Sequence, residues 1–150
     1  MDQPKFTVDT SVVVKWLNQE GESDTNQALS LLHAAKRNEL LLLSSDLIPI
    51  EVSNALVWSK KLRNKLLEEA IHDLFSFPVQ LITTDEALAS EAGKISQEYG
   101  ITIYDAMYLA VAMKQNASLI TADSKHQTQF KKISVINLAN WPLSEEDEKY

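Results

Sequence analysis

The sequence predicts an α/β fold, and three observations carry that prediction. Short apolar runs too brief for helices recur along the chain, at 5–9, 40–44, 79–83, 118–121 and 134–138. Segments with apolar residues at helical spacing separate them,. Strands alternating with helices imply a mainly parallel sheet covered on both faces. The size agrees: 150 residues with 45% hydrophobic content suit one domain with a single core,.

The elements follow in order. Residues 5–9 form a short buried strand that ends at an acid, Asp9. Val12, Val13, Trp16 and Leu17 then make a helical stripe over 10–18, and Ala28, Leu31, Leu32 and Ala35 do the same over 24–37. The run 40–44 is the second strand. Pro49 is tolerated in a first helical turn, so a helix is placed from there to residue 61,. A further helix over 64–76 presents Leu66, Leu67, Ala70, Ile71 and Leu74 as its core face. The third strand, 79–83, leads into a helix over 85–99, which Gly100 is placed to end in a left-handed turn,. A helix over 104–115 carries Leu109, Ala110 and Met113 at helical spacing. A fourth strand (118–121), a short helix (123–131) and a fifth strand (134–138) complete the order. The domain is placed at 1–140, with an acidic C-terminal tail at 141–150.

Composition excludes several chemistries. Without cysteine there is no disulfide, zinc–thiolate site or thiol nucleophile, and such a chain suits a reducing cytoplasm,. No basic segment leads into an apolar run at the N-terminus, and the richest apolar stretch is broken by Ser44, Ser45 and Asp46. A soluble, cytoplasmic protein without signal peptide or membrane span is expected. Of the net charge of −7, residues 145–149 carry −3 and four acids discussed next carry −4, which leaves the rest neutral. That distribution argues against tight nonspecific binding to long nucleic acid, but not against cutting it.

Ligands of open parallel sheets bind beyond the carboxyl ends of the strands. Asp9 ends the first strand, Glu51 lies in the first turn after the second, Asp123 ends the fourth, and Asp105 opens the helix after Gly100. Two carboxylates about 5 Å apart repel by roughly 3 kcal/mol at an effective dielectric of about 20. Four that converge therefore need a counter-charge. The nearest basic residues, Lys15 and Lys125, are single charges, whereas hard oxygen donors suit Mg²⁺ or Mn²⁺,. Such ions can activate water and stabilise a leaving oxygen at a phosphate. Taken singly, each acid also reads as a helix cap, and Asp85 is assigned only that role,.

The flanking residues raise the set above its members. Val8-Asp9-Thr10-Ser11, Glu51-Val52-Ser53-Asn54-Ala55-Leu56, Tyr104-Asp105-Ala106-Met107-Tyr108-Leu109-Ala110 and Thr121-Ala122-Asp123 occur in this order. Together they resemble the PIN-domain signature, in particular that of the small bacterial VapC-like toxins, over nearly the whole chain up to about Leu138. The resemblance implies a three-layer α/β/α sandwich with a five-stranded parallel sheet, Mg²⁺- or Mn²⁺-dependent endoribonuclease activity, homodimerisation and a cognate antitoxin. It makes Asp9, Glu51, Asp105 and Asp123 the catalytic, metal-site acids. Ser11 and Thr121 match small hydroxyl positions beside the first and last acids, and Asn54 follows Glu51 by one helical turn, where it could orient that acid or a water,. Capping or local hydrogen bonding is the alternative for these three.

Lys60, Lys61, Arg63 and Lys65 cluster at a turn between helices, either as a phosphate-binding patch for RNA or as a solvated turn,. Trp16, Trp58 and Tyr104 read as core or interface residues, with base stacking the alternative, and His33, His72 and His126 lack ligand spacing,. Two rival functions remain open at this point. One is a phosphohydrolase with Asp9 as covalent nucleophile, although Ser11 stands where a second acid would be expected; the other is a non-catalytic binding module.

Overall fold

Five short strands set the frame: β1 (Lys5–Val8), β2 (Leu41–Ser45), β3 (Val79–Ile82), β4 (Ser118–Thr121) and β5 (Val135–Asn137). The computed structural model describes residues 3–123 and 129–143. The strands form one sheet in the order β3-β2-β1-β4-β5, every neighbouring pair parallel. In register, Phe6 stands opposite Leu42 on one side and Ser118 on the other, and Val8 opposite Ile120. The central strands are buried from both faces, so Val8, Leu42, Leu119 and Ile120 have no exposed surface. That explains why they read as apolar runs without alternation.

Among the described residues, six α-helices link the strands: α1 (Thr10–Leu17), α2 (Thr25–Lys36), α3 (Ile48–Trp58), α4 (Asn64–Leu74), α5 (Glu86–Tyr99) and α6 (Ile103–Lys114). Helix α1 packs with α2, α3 and α4, whereas α5 packs with α6, which lies on β1, β2 and β4. The result is the three-layer sandwich expected from the sequence. Residues 106–112 of α6 are all buried, so this helix is apolar on every side and shows no single stripe,. Gly100 ends α5 in the left-handed conformation (φ 65°), where an L side chain would be strained,.

Observed boundaries lie within one to three residues of those read from sequence,. The helix expected over 123–131 lies largely outside the described residues, as do Lys125, His126 and the acidic run 145–149. The fifth strand is shorter than expected because the chain turns at Leu138 into a single 3-10 turn, Leu138–Asn140. Beyond it, Trp141 packs edge-on against Phe6 (centroids 5.2 Å apart) and the Pro142 carbonyl accepts from Ser30.

One side chain, Leu66, sits differently from expectation, and for two others the core half of the reading fails. Leu66 is 65% exposed although it stands one turn before Ala70 on the same helix face; it lies in the first turn of α4, and the buried residues of that helix, Ala70 and Leu74, lie in its later turns,. Trp58 and Tyr104 are 70% and 53% exposed and belong to no core. Only Trp16 is buried, its indole N–H donating to the Ala28 carbonyl at 2.7 Å,.

Candidate active site

From β1 the chain crosses to β2 and β3 on one side of the sheet and later returns to lay β4 and β5 on the other. The crevice beyond the carboxyl ends of β1 and β4 is therefore the topological switch point. Asp9 opens it. As N-cap of α1 its Oδ1 accepts from the Ser11 backbone N–H (3.1 Å) and from the Ser11 hydroxyl (2.5 Å). Thr121, the last residue of β4, donates its hydroxyl to Oδ2 at 2.6 Å. Each hydroxyl also accepts a backbone N–H, Ser11 from Ala122 (2.9 Å) and Thr121 from Asp123 (3.2 Å). Two small hydroxyl side chains thus tie the start of α1 to the end of β4 around one buried carboxylate. Burial pushes the Asp9 carboxyl up to about 6; the Ser11 and Thr121 hydrogen bonds oppose this, and the Asp105 charge adds to it,.

Glu51 comes from the first turn of α3, where Pro49 fixes the helix start. It is half-buried, and Tyr108 donates its phenol proton to Oε1 at 2.5 Å. The phenol has one proton, so Thr10 Oγ1, 3.1 Å away, is the donor in its contact with the Tyr108 oxygen,. This short relay, Thr10 to Tyr108 to Glu51, holds the carboxylate in place. Burial raises the Glu51 carboxyl above its ordinary range, the Tyr108 hydrogen bond opposes that, and the Asp105 charge adds to it. Burial beside Glu51 likewise raises the Tyr108 phenol, which stays protonated at any physiological pH.

Asp105 lies in the first turn of α6, one turn before Tyr108, where Thr102 caps the helix by accepting from the Asp105 N–H. Asp123 follows β4 at the exposed lip. Asp9, Glu51, Asp105 and Asp123 all line one cleft of about 500 Å³. Asp85 does not: it is the exposed N-cap of α5, accepting from the Leu88 N–H at 2.8 Å, a bond that lowers its carboxyl below the usual range.

The same cleft carries charges that sequence reasoning did not connect. Lys15 is buried, yet it faces none of the four acids; its ammonium donates to Glu22 Oε2 (2.8 Å) and the Ser23 carbonyl (2.7 Å). Lys60 reaches the other oxygen of the same carboxylate, Glu22 Oε1 at 2.9 Å, and the Glu20 carbonyl at 2.6 Å. Partial burial pushes the Glu22 carboxyl up, but Lys15 and Lys60 outweigh it and hold the group low. Among the other residues singled out, Asn54 is exposed and lies outside the cleft lining. Lys61 and Lys65 are exposed, and Arg63 donates to the Val57 and Leu62 carbonyls near the end of α3, so the basic turn is split. Only Lys60 of that group reaches the acid-lined cleft.

Tyr108 was quoted in the sequence motif without a role. Its spacing of three from Asp105, on one helix face, was the available signal,. Lys15, Glu22 and Lys60 come from three separate elements, and no local pattern joins them. Among the described residues, no three acidic or histidine side chains are gathered tightly enough to hold an ion among themselves. The acids line the cleft walls and present hard oxygens towards it. No described helix is long and apolar enough to cross a membrane.

The fold recurs in solved structures. VapBC2 of Rickettsia felis, bound to a promoter DNA fragment, superposes with a TM-score of 0.67 at 17% identity, covering 89% of this chain and 98% of that one. VapC20 of Mycobacterium tuberculosis, a toxin that cleaves the sarcin–ricin loop, gives 0.65 at 16% identity over 83% and 95% of the two chains. A toxin–antitoxin complex from Klebsiella pneumoniae gives 0.63 at 20% identity over 88% and 96%. No curated protein matches the sequence. The family model of the PIN domain matches residues 6–134, a span that begins in β1 and takes in all four acids of the cleft. With parallel sheet, switch-point crevice and family match in agreement, the chain belongs to the PIN-domain family.

Proposed function

We propose that this chain is a Mg²⁺- or Mn²⁺-dependent endoribonuclease that hydrolyses RNA phosphodiester bonds, the toxin of a toxin–antitoxin pair. One observation supports this most: Asp9, Glu51, Asp105 and Asp123 line a single cleft at the sheet's switch point. The two described lysines of that cleft are both committed to Glu22, so they supply no ion pair to Asp9 or Glu51. The donor set fits a small hard cation. Mg²⁺ keeps several of its waters and binds few carboxylates directly, so acids spread along cleft walls suit it better than a tight cage would. When bound, such an ion supplies an activated water and charge stabilisation at the phosphate.

The chain's own residues supply position. Ser11 and Thr121 fix Asp9 by both oxygens, and Tyr108 fixes Glu51 by Oε1. The acids thus stay oriented without a rotamer search at each turnover. Asp105, whose charge acts on both Asp9 and Glu51, stands between the two pinned groups electrostatically. Purified protein should cut a structured RNA with Mg²⁺ or Mn²⁺ and stop with EDTA; equal cutting in EDTA would overturn the metal mechanism.

Homodimerisation, a cytoplasmic location and an antitoxin partner belong to the same reading. The cleft's acids call for a partner that inserts an Arg or Lys, since a cation satisfies the same oxygens as the metal. Changing that basic residue of the inhibitor to alanine should restore RNA cleavage. Inhibition that persists undiminished would point to steric or remote blockade.

A further inference from the structure

Glu22 lies in the loop between α1 and α2 and lines the same cleft as the acids, and its carboxylate bridges two ammonium groups. Oε2 lies 2.8 Å from Lys15 and Oε1 lies 2.9 Å from Lys60, so the two oxygens of one anion each take one cation. Two non-bridging oxygens of a phosphodiester present the same charge and the same forked geometry. Among the described residues, Lys15 and Lys60 are the cations that line the cleft, so a strand lying there has no other lysine or arginine of that cleft to meet. Lys60 and Ser59 also border a second cleft of about 470 Å³, which Lys61 lines as well.

Building on the ribonuclease reading, we propose that Glu22 is an internal stand-in for an RNA phosphate and gives up Lys15 and Lys60 when substrate binds. The site is built for exchange. Each ammonium holds a loop carbonyl besides Glu22, Lys15 that of Ser23 and Lys60 that of Glu20. When the Glu22 side chain leaves, both lysines stay tethered and the loop backbone stays docked. Gly21, at φ +72° with open space around it, precedes the moving residue. The exchange imposes a threshold. Any anion must outcompete an intramolecular carboxylate, which a phosphate anchored by neighbouring contacts achieves and a free anion does not.

The test is binding of a fluorescein-labelled twelve-nucleotide single-stranded RNA to the full chain in EDTA, where no cleavage occurs. Glu22→Gln should bind at least fivefold tighter than the native chain, with a steeper loss of affinity as salt rises. Lys60→Met should bind at least threefold weaker, and Glu22→Gln should give a smaller gain in the Lys60→Met background, where it releases only Lys15. Unchanged or weaker binding by Glu22→Gln overturns the proposal, as does a gain of undiminished size in the absence of Lys60. If Glu22→Gln does not fold, Lys60→Met decides alone: native-like affinity overturns the proposal and the threefold loss supports it. RNA cleavage in Mn²⁺ with no effect of Glu22 on binding sinks this proposal only. No RNA binding and no cleavage by any variant sinks the ribonuclease reading with it.

Discussion

Asp9→Asn should reduce metal-dependent RNA cleavage by at least a thousandfold and, in EDTA at neutral pH, should make the protein more stable. The loss follows from the reading of Asp9 as a metal-site acid at the centre of the cleft. The gain follows from burial. Asp9 is 6% exposed and its carboxyl is pushed up from 3.8 to about 6. The folded state therefore holds the Asp9 proton more tightly than the unfolded chain does. That contribution to stability is complete below pH 3.8 and is lost as pH rises through about 6,. Two pKa units correspond to about 3 kcal/mol, an upper bound on what the ionised group costs at pH 7. Asparagine does not ionise and caps helices as well as aspartate. Its amide also fits: Oδ1 keeps the Ser11 donors, and the new N–H₂ meets Thr121 Oγ1. That hydroxyl can turn its proton to the Asp123 carbonyl, already 3.1 Å away. Urea unfolding in EDTA should show Asp9→Asn ahead by about 1–3 kcal/mol at pH 7, with no advantage near pH 4. An advantage that does not change with pH would remove ionisation as its cause.

The second large effect separates two junctions that look alike. Asp85 and Asp123 each follow a strand through a similar sequence, Thr83-Thr84-Asp85 and Thr121-Ala122-Asp123. Asp123 lines the acid cleft, and its backbone N–H is bound to the same Thr121 hydroxyl that holds Asp9. Asp85 caps α5 and touches Lys114 at 3.5 Å, at the end of a different strand. Asp123→Asn should cripple cleavage by about a hundredfold or more with little change in melting temperature, in line with loss of a group that stabilises developing charge. Asp85→Asn should keep cleavage within about twofold of the native rate and cost less than about 1 kcal/mol, because asparagine preserves the cap. Rates and melts of the two variants measured side by side decide the matter. A dead Asp85→Asn beside an active Asp123→Asn would overturn the assignment and move the fourth acid to the Asp85 junction.

What could be read from the sequence was what local rules control. Asp9 and Asp85 declare themselves as caps, Pro49 and Gly100 mark a helix start and a helix end, and apolar runs such as 118–121 are strands because both faces are covered. The acids could be found because a parallel sheet sends every strand end to one edge. Three-dimensional partnership was another matter. Periodicity assigned Leu66 to a core face, but whether a neighbour covers a face is decided elsewhere in the chain, and here nothing described does. Tyr108 meets Glu51 across 57 positions, and Lys60 meets the Glu20 carbonyl across 40. Neither contact has a spacing to betray it. The charge of Lys15 was visible, but its commitment to Glu22 needed the fold of the intervening loop.

The hydroxyl of Thr121 reaches Asp9 across 112 positions of chain, from the fourth strand back to the first. During synthesis, Asp9 emerges 112 residues before Thr121, so it waits that long before its second oxygen is held and Asp123 arrives beside it. The first strand likewise lacks one of its two sheet neighbours until then. Long-range parallel pairing of this kind forms late, because the intervening loop must close before the contact is rewarded. A truncated chain released before the fourth strand would carry Asp9, Glu51 and Asp105 but neither the hydroxyl that fixes Asp9 nor the fourth acid. On the proposed function, a ribosome making this protein would be shielded from it by translation order alone until the fourth strand has emerged.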